Sequence, residues 1–190
     1  MKANASRLLG FTFFVAIALL CPPLACPGNA ADVAPKTALT ITSPAFPSEG
    51  FMPARFTCDG PNCSPPLNWS GVPAGAKTLA LICDDPDAPG GTWVHWVLYN
   101  LPATTSALTE KIDGAPTLPG GARQGMNDFG KLGYGGPYPP PGKSHHYFFK
   151  LYAVDKQLVL KPGATKRELL QAIEGHVVAE GFLMGKYRRK

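Results

Sequence analysis

The segment KTLALICDDPDAPGGTWVHWVLYNLP, residues 77–102, decides the fold class. Its two ends are apolar runs rich in β-branched and aromatic residues, of strand length rather than helix length. Between them lie two prolines, two glycines and three acids. Three acids within residues 84–87 stand out in a chain with only 13 Asp and Glu in total. Solvated turns are often acidic, so a chemical role needs more support than the count.

Working outward, the same reading extends to the rest of the chain. ALTITS (38–43) alternates as a strand does, and ARFTC (54–58) reads as a short strand. HHYFFKLYAVD (145–155) is a further strong strand, and GFLMGKY (181–187) a last one. Residues 104–129 lack periodicity and read as an extended connection, and GKLGYGGPYPPPGKS (130–144) as a rigid loop. One helix is expected. Thr165 and Glu168 form a capping box ahead of Leu169, Leu170 and Ile173, and the helix ends near Gly175 or runs on to about Ala179. With 21 Gly and 21 Pro, short elements and many turns are favoured. The fold class is mainly β, with one late helix.

The first thirty residues read as a signal peptide. Lys2 and Arg7 precede an apolar run from Leu8 to Leu20, followed by small residues with cleavage expected near Ala30. This implies an exported protein, periplasmic or secreted, whose residues 31–190 form one domain with no transmembrane segment. Leu24-Ala25-Cys26 only loosely matches a lipid-acceptor site. Without Lys2 and Arg7, 16 Lys and Arg face the same 13 acids, a charge of +3. Four of those cations are Lys186, Arg188, Arg189 and Lys190, so the body from Ala31 to Gly185 stands at −1. The high pI is an effect of the tail, and nucleic-acid binding is not implied.

Export makes the cysteines interpretable. Cys58 and Cys63 flank an Asp-Gly-Pro-Asn turn, and a disulfide across it is expected. Cys83, in an apolar run, reads as a buried core residue. The spacing does not match a zinc site.

Strand side chains alternate faces, so residues of one parity share a side. Leu79, Leu81, Cys83 and Asp85 form one such set, Trp93, His95, Val97 and Tyr99 a second, and His145, Tyr147, Phe149 and Leu151 a third. In each set one end of an apolar face is polar. If the strands are neighbours, Asp85, His95, His145 and Tyr147 meet. Prolines 86, 89, 137, 139, 140 and 141 stiffen the adjoining loops. Each residue also has a plainer structural reading. Asp85 ends a strand, and Asp87 shapes a turn through its side chain. His95 sits between Trp93 and Trp96 as a core histidine would, His145 and His146 form a solvated pair, and Tyr147 is an edge aromatic.

Four blocks taken together, CDGPNCSPPLNWSGVP (58–73), LALICDDPDAP (79–89), WVHWVLYNLP (93–102) and GPYPPPGKSHHYFFKLYAVD (136–155), resemble the phosphatidylethanolamine-binding protein family. They are most similar to its bacterial, Raf-kinase-inhibitor-like branch, and the resemblance covers roughly residues 39–187. It implies a β-fold of antiparallel sheets with a small anion pocket at one end. Motif by motif it carries ligand-binding roles to Asp85 and Pro89, to Trp93 and His95, to Gly136 and Pro137, and to His145 and Tyr147. Where the family often has Arg between the last two, this chain has His146, which puts an Arg–carboxylate pair in question. Cys63 replaces an expected apolar residue ahead of Ser64-Pro65-Pro66, which favours the disulfide further.

Imidazole N–H groups and a phenol O–H donate to phosphate oxygens, and Asp85 would orient a histidine or accept from a cationic head group. The leading function is therefore capture of a small anionic or phosphorylated ligand, with a lipid head group as one case. The alternative is a protein inhibitor of a protease or kinase acting through the pocket surface. A hydrolase with histidine as base ranks below both, because no G-x-S-x-G elbow or histidine-paired nucleophile is found. No cofactor is implied. Asp85, His95 and His145 match two-His-one-carboxylate ligation in composition, but the resemblance points to anions rather than a metal.

Overall fold

The computed structural model describes residues 37–190; the leader expected over residues 1–30 lies outside them. In chain order the strands are β1 (Thr37–Ala38), β2 (Thr40–Thr42), β3 (Leu67–Ser70), β4 (Thr78–Asp85) and β5 (Trp93–Pro102). They continue with β6 (Ala107–Leu108), β7 (Arg123–Gln124), β8 (His145–Val154) and β9 (Val177–Tyr187), with one helix, α1 (Lys166–Ile173), before β9.

The two ends of the opening segment, β4 and β5, pair antiparallel, and β8 pairs with the other edge of β4. The full order is β1-β9-β8-β4-β5-β7 in one sheet and β2-β3-β6 in a smaller one. All pairings are antiparallel except β1 with β9. All eight residues of β4 are buried, because both faces of the large sheet are covered. On one side Leu79, Leu81, Trp96, Leu98 and Phe149 meet Ile41, Leu67, Trp69 and Leu108 of the small sheet. On the other, Ile82, Val97 and Tyr99 meet Leu169 and Ile173 of α1. Each such aliphatic side chain contributes about 1.5–3 kcal/mol when fully buried.

Several elements depart from the sequence expectation. ARFTC is not a strand: residues 54–56 form a 3₁₀ turn, with Phe56 N–H donating to Pro53 O and Thr57 N–H to Ala54 O. Pro53 cannot donate to a ladder, and its fixed φ suits a turn entry. ALTITS divides between β1 and β2, which join different sheets. The connection at 104–129 holds β6, β7 and a short turn at residues 119–121, each too short to show periodicity. LNWS, part of a polar and proline-flanked stretch, is β3. The helix stops at Ile173, in line with an end near Gly175 and not with one at Ala179, and β9 starts at Val177 rather than Gly181. Gly175, at φ 74°, turns the chain between them in a conformation that favours glycine.

Parity fails at one place in β5. Cys83 pairs with Trp96 and Asp84 with Val94, so β5 has one extra residue, His95, at a β-bulge. A second irregularity between Leu79 and Leu81 accommodates Asn100, at φ 56°. The bulge puts His95 on the same side as its neighbour Trp96. Val97 and Tyr99, expected to share the His95 face, instead point toward α1.

Candidate functional site

β4 ends at Asp85 for local reasons. Pro86 has no N–H for the ladder, and Asp85 Oδ1 accepts from Asp87 N–H at 2.8 Å, closing a turn. In a sheet ordered β8-β4-β5, the end of β4 and the starts of β5 and β8 lie at one edge. That edge brings Asp85, His95 and His145 together around a cavity of about 250 Å³. Pro89, Trp93, Phe129 and Tyr138 supply its apolar walls.

The buried pair at its floor is Asp85 with His145: Nδ1 of the ring lies 2.8 Å from Asp85 Oδ2, and the two residues are 3% and 8% exposed. A carboxylate only accepts, so His145 Nδ1 carries the proton. His95 is fixed in the same sense. Its Nδ1 donates to the Gly135 carbonyl at 2.6 Å, while Gly135 N–H donates back to His95 O at 2.8 Å. A Cβ at position 135 would lie 2.5 Å from the Phe129 ring, so any larger residue there would have to displace that ring. Burial lowers the pKa of His95, and the Gly135 carbonyl only partly opposes this. In the neutral ring Nε2 is then a lone pair. Among the described residues, Nε2 of each of the two imidazoles has no hydrogen-bond partner.

Tyr147 lies beneath the cavity rather than in its wall. It is fully buried, edge-on to His95 at 5.2 Å between ring centroids, and among the described residues its hydroxyl has no hydrogen-bond partner. Burial first, and the nearby Asp85 carboxylate second, push its phenol far above the ordinary value, so it stays protonated. An orphaned buried hydroxyl costs about 1–3 kcal/mol. Gly136 lines a neighbouring cavity of about 230 Å³, and Pro137 is buried behind it with its carbonyl accepting from Cys58 N–H at 3.0 Å.

The acids of residues 84–87 divide three ways. Asp84, on the α1 side of β4, is fully buried and ion-paired with Lys150 Nζ at 2.8 Å and Lys166 Nζ at 2.5 Å. Asp85 serves the cavity. Asp87 Oδ2 accepts from the backbone N–H of His146 at 2.8 Å and meets its ring Nδ1 at 2.7 Å. The Arg–carboxylate pair that His146 put in question is absent, and a His146–Asp87 contact stands in this place. Partial burial would raise the pKa of Asp87, but the side chain and backbone of His146 together pull it below 3.8.

The expected Cys58–Cys63 disulfide is absent: Cys58, Cys63 and Cys83 are free thiols. The turn holds the two apart in their bonding, with the Cys58 thiol on Asp59 Oδ1 and the Cys63 thiol on Arg55 O and Glu110 Oε1. Among the described residues no three His, Cys, Asp or Glu side chains group as metal ligands would. No helix of the described residues is long and apolar enough to cross a membrane.

Sequence reasoning missed Phe129 and Tyr138, which separate the two cavities. Phe129 sits edge-on to both Trp93 and His95, 5.4 Å from each. Its loop is tied to β5 where Asp128 Oδ2 accepts from Val94 N–H and Val94 O from Asp128 N–H. Tyr138 is 59% exposed and lies under the Arg189 guanidinium, whose carbon is 4.5 Å from the ring centre. Arg189 in turn pairs with Asp59 at 3.2 Å. An aromatic in a Gly- and Pro-rich loop was the available signal for both.

Comparison with known proteins gives consistent matches. The profile of the family described as Phosphatidylethanolamine-binding protein matches residues 42–188. A UPF0098 protein of Methanothermobacter thermautotrophicus is 54% identical over 80% of this chain and 99% of its own length. One from Pyrococcus horikoshii is 47% identical over 82% and 79%. Among solved structures, the phosphatidylethanolamine-binding protein homologue CT736 of Chlamydia trachomatis aligns with TM-score 0.74 at 40% identity, covering 80% of this chain and 99% of that one. E. coli YbcL, described as a new member of the mammalian PEBP family, aligns with TM-score 0.74 at 35% identity over the same shares.

Proposed function

Because the chain belongs to the phosphatidylethanolamine-binding protein family, we propose that it binds a small ligand by holding a phosphate or phospho-head-group anion between His95 and His145. Family membership supports small-ligand binding; the anion is our reading of the cavity. One observation carries it: each imidazole has its Nδ1 committed to an acceptor, which leaves both Nε2 atoms as the groups a ligand meets. No lysine or arginine lines this cavity. Recognition therefore turns on a proton, shared between a ring Nε2 and a phosphate oxygen, either as imidazolium to dianion or as P–OH to neutral ring. Asp85 holds the His145 ring in place through its Nδ1. Trp93 and Pro89 exclude water from the contact, and the apolar walls strengthen it. With the leader expected over residues 1–30, we place this activity outside the cytoplasm.

The test is a titration of the purified protein with inorganic phosphate and with phosphoethanolamine, followed by tryptophan fluorescence, for which Trp93 is the reporter in the wall. A saturable change is expected, tighter at pH 6 than at pH 8, and lost in His95→Ala and His145→Ala. No saturable response to either anion at millimolar concentration, with the folded state intact by circular dichroism, would overturn the reading.

A further inference from the structure

Resting on that reading of the first cavity, we propose that the neighbouring cavity is a second subsite, built for an oxyanion, so that the ligand carries two acidic groups. The two cavities are similar in size, about 250 and 230 Å³, and share Phe129 and Tyr138 as a thin aromatic partition. Their chemistry differs. The first holds a carboxylate and no lysine; the second holds Lys131 and Asn62 and no carboxylate.

The polar groups of the second cavity are arranged so that donors are left over. Asn62 Oδ1 is spent on Gly136 N–H at 2.7 Å, and its Nδ2 has no hydrogen-bond partner among the described residues. Asn127 Oδ1 accepts from the backbone N–H of both Phe129 and Lys131, and its Nδ2 donates to Gly133 O. Tyr134 O–H donates to Phe56 O. With the amide oxygens used, the wall offers the Asn62 amide N–H pair and an ammonium, Lys131 Nζ, that has no carboxylate partner among the described residues. Both complement carboxylate or phosphate oxygens. The placement of Asn62 is built into the backbone: its φ is 57°, and at Gly136 a Cβ would lie 2.4 Å from both Asn62 Oδ1 and Phe56 O. No larger residue at 136 would let that hydrogen bond form.

The experiment compares one-anion and two-anion probes on the same protein. Inorganic phosphate and glycerol 3-phosphate are the one-anion arms. 3-Phosphoglycerate adds a carboxylate and 1,3-propanediol bisphosphate a second phosphate, which separates the two sources of oxyanion. The two-anion probes are expected to bind roughly 10-fold tighter than glycerol 3-phosphate, the scale of one charge-assisted hydrogen bond. Lys131→Ala and Asn62→Asp should abolish that advantage and leave inorganic phosphate within about 2-fold. Asn62→Asp keeps the oxygen that holds Gly136 and replaces the donor with an acceptor. The Asn62 side-chain amide resonances should shift with the two-anion probes and stay still with phosphate. Equal binding of the one- and two-anion probes, or equal loss for all probes in the variants, would overturn the second subsite while the first stands. If phosphate fails to bind but the Asn62 resonances still respond to a two-anion probe, the first-cavity reading falls and the second subsite survives. If neither responds, both fall.

Discussion

His95 takes up a proton less readily in the fold than in water, because burial removes the solvation its charged form needs. The consequence for stability has a definite sign. Its folded pKa lies below 6.5, so as pH falls through 6.5 the unfolded chain binds a proton that the native protein does not, and stability is lost. Asp87 acts in the same direction but in a lower window. Its carboxyl is held below 3.8, so the stabilisation is present above that value and is lost as pH falls through the folded pKa. Urea unfolding at pH 7.5 and 5.5 should therefore show a loss that His95→Gln reduces and Asp87→Asn leaves unchanged. Saturating phosphate should shrink the loss in the wild type, since the bound anion favours the protonated ring. An identical pH slope in His95→Gln and wild type would remove His95 from the account. Asp85 and His145 could be read from the sequence because regular alternation places them. Tyr147 could be read only as far as its side of the sheet, since its depth below the cavity depends on how His95 packs over it.

At the scale of elements, α1 is fixed at its first turn by two independent devices. Glu168 N–H donates to Thr165 Oγ1 at 3.3 Å, and Thr165 N–H to Glu168 Oε2 at 2.8 Å. Thr165→Ala should cost about 1 kcal/mol in equilibrium unfolding. Lys166, a cation at the helix start where the dipole disfavours it, is held by Asp84 under the sheet. Asp84→Asn should cost about 1–3 kcal/mol, since Lys150 and Lys166 both lose a buried acceptor while their partly exposed ammonium groups return to water. A change below the resolution of the unfolding curves would mean that the lysines were already solvated. The strands at 78–85, 93–102 and 145–154 are long enough for composition to reveal them. β3, β6 and β7 are two to four residues each and exist only because a partner edge is waiting. The tail beyond β9 has a job that its composition hid. Arg189 links Asp59 to Tyr138, so Arg189→Ala should speed phosphate dissociation a few-fold with little effect on Tm, in line with the loss of one exposed cation–π contact. Stopped-flow fluorescence reads that rate.

For the whole molecule, the layering explains why a polar site forms at a sheet end and nowhere along its length. Small sheet, large sheet and helix cover both faces of β4, so its side chains meet water only where the strand stops. That much follows from hydrophobic pattern. The cavity mouth does not, because Phe129 and Tyr138 lie in loops whose path is set by tethers such as Asp128 to Val94, far from any periodic signal. The cysteine pair misled for a similar reason: proximity in sequence around a turn does not fix where thiols point, and here each is drawn to a different acceptor. The extra residue in β5 has one more implication. The ladder on either side of His95 is in register without it, with Val94 facing the helix layer and Trp96 the small sheet. A chain shortened by that single amino acid would therefore alternate without interruption. Such a deletion protein should fold and melt cooperatively yet be blind to phosphate. Recognition here would then be an insertion that the architecture tolerates, free to be gained or shed without redesigning the scaffold.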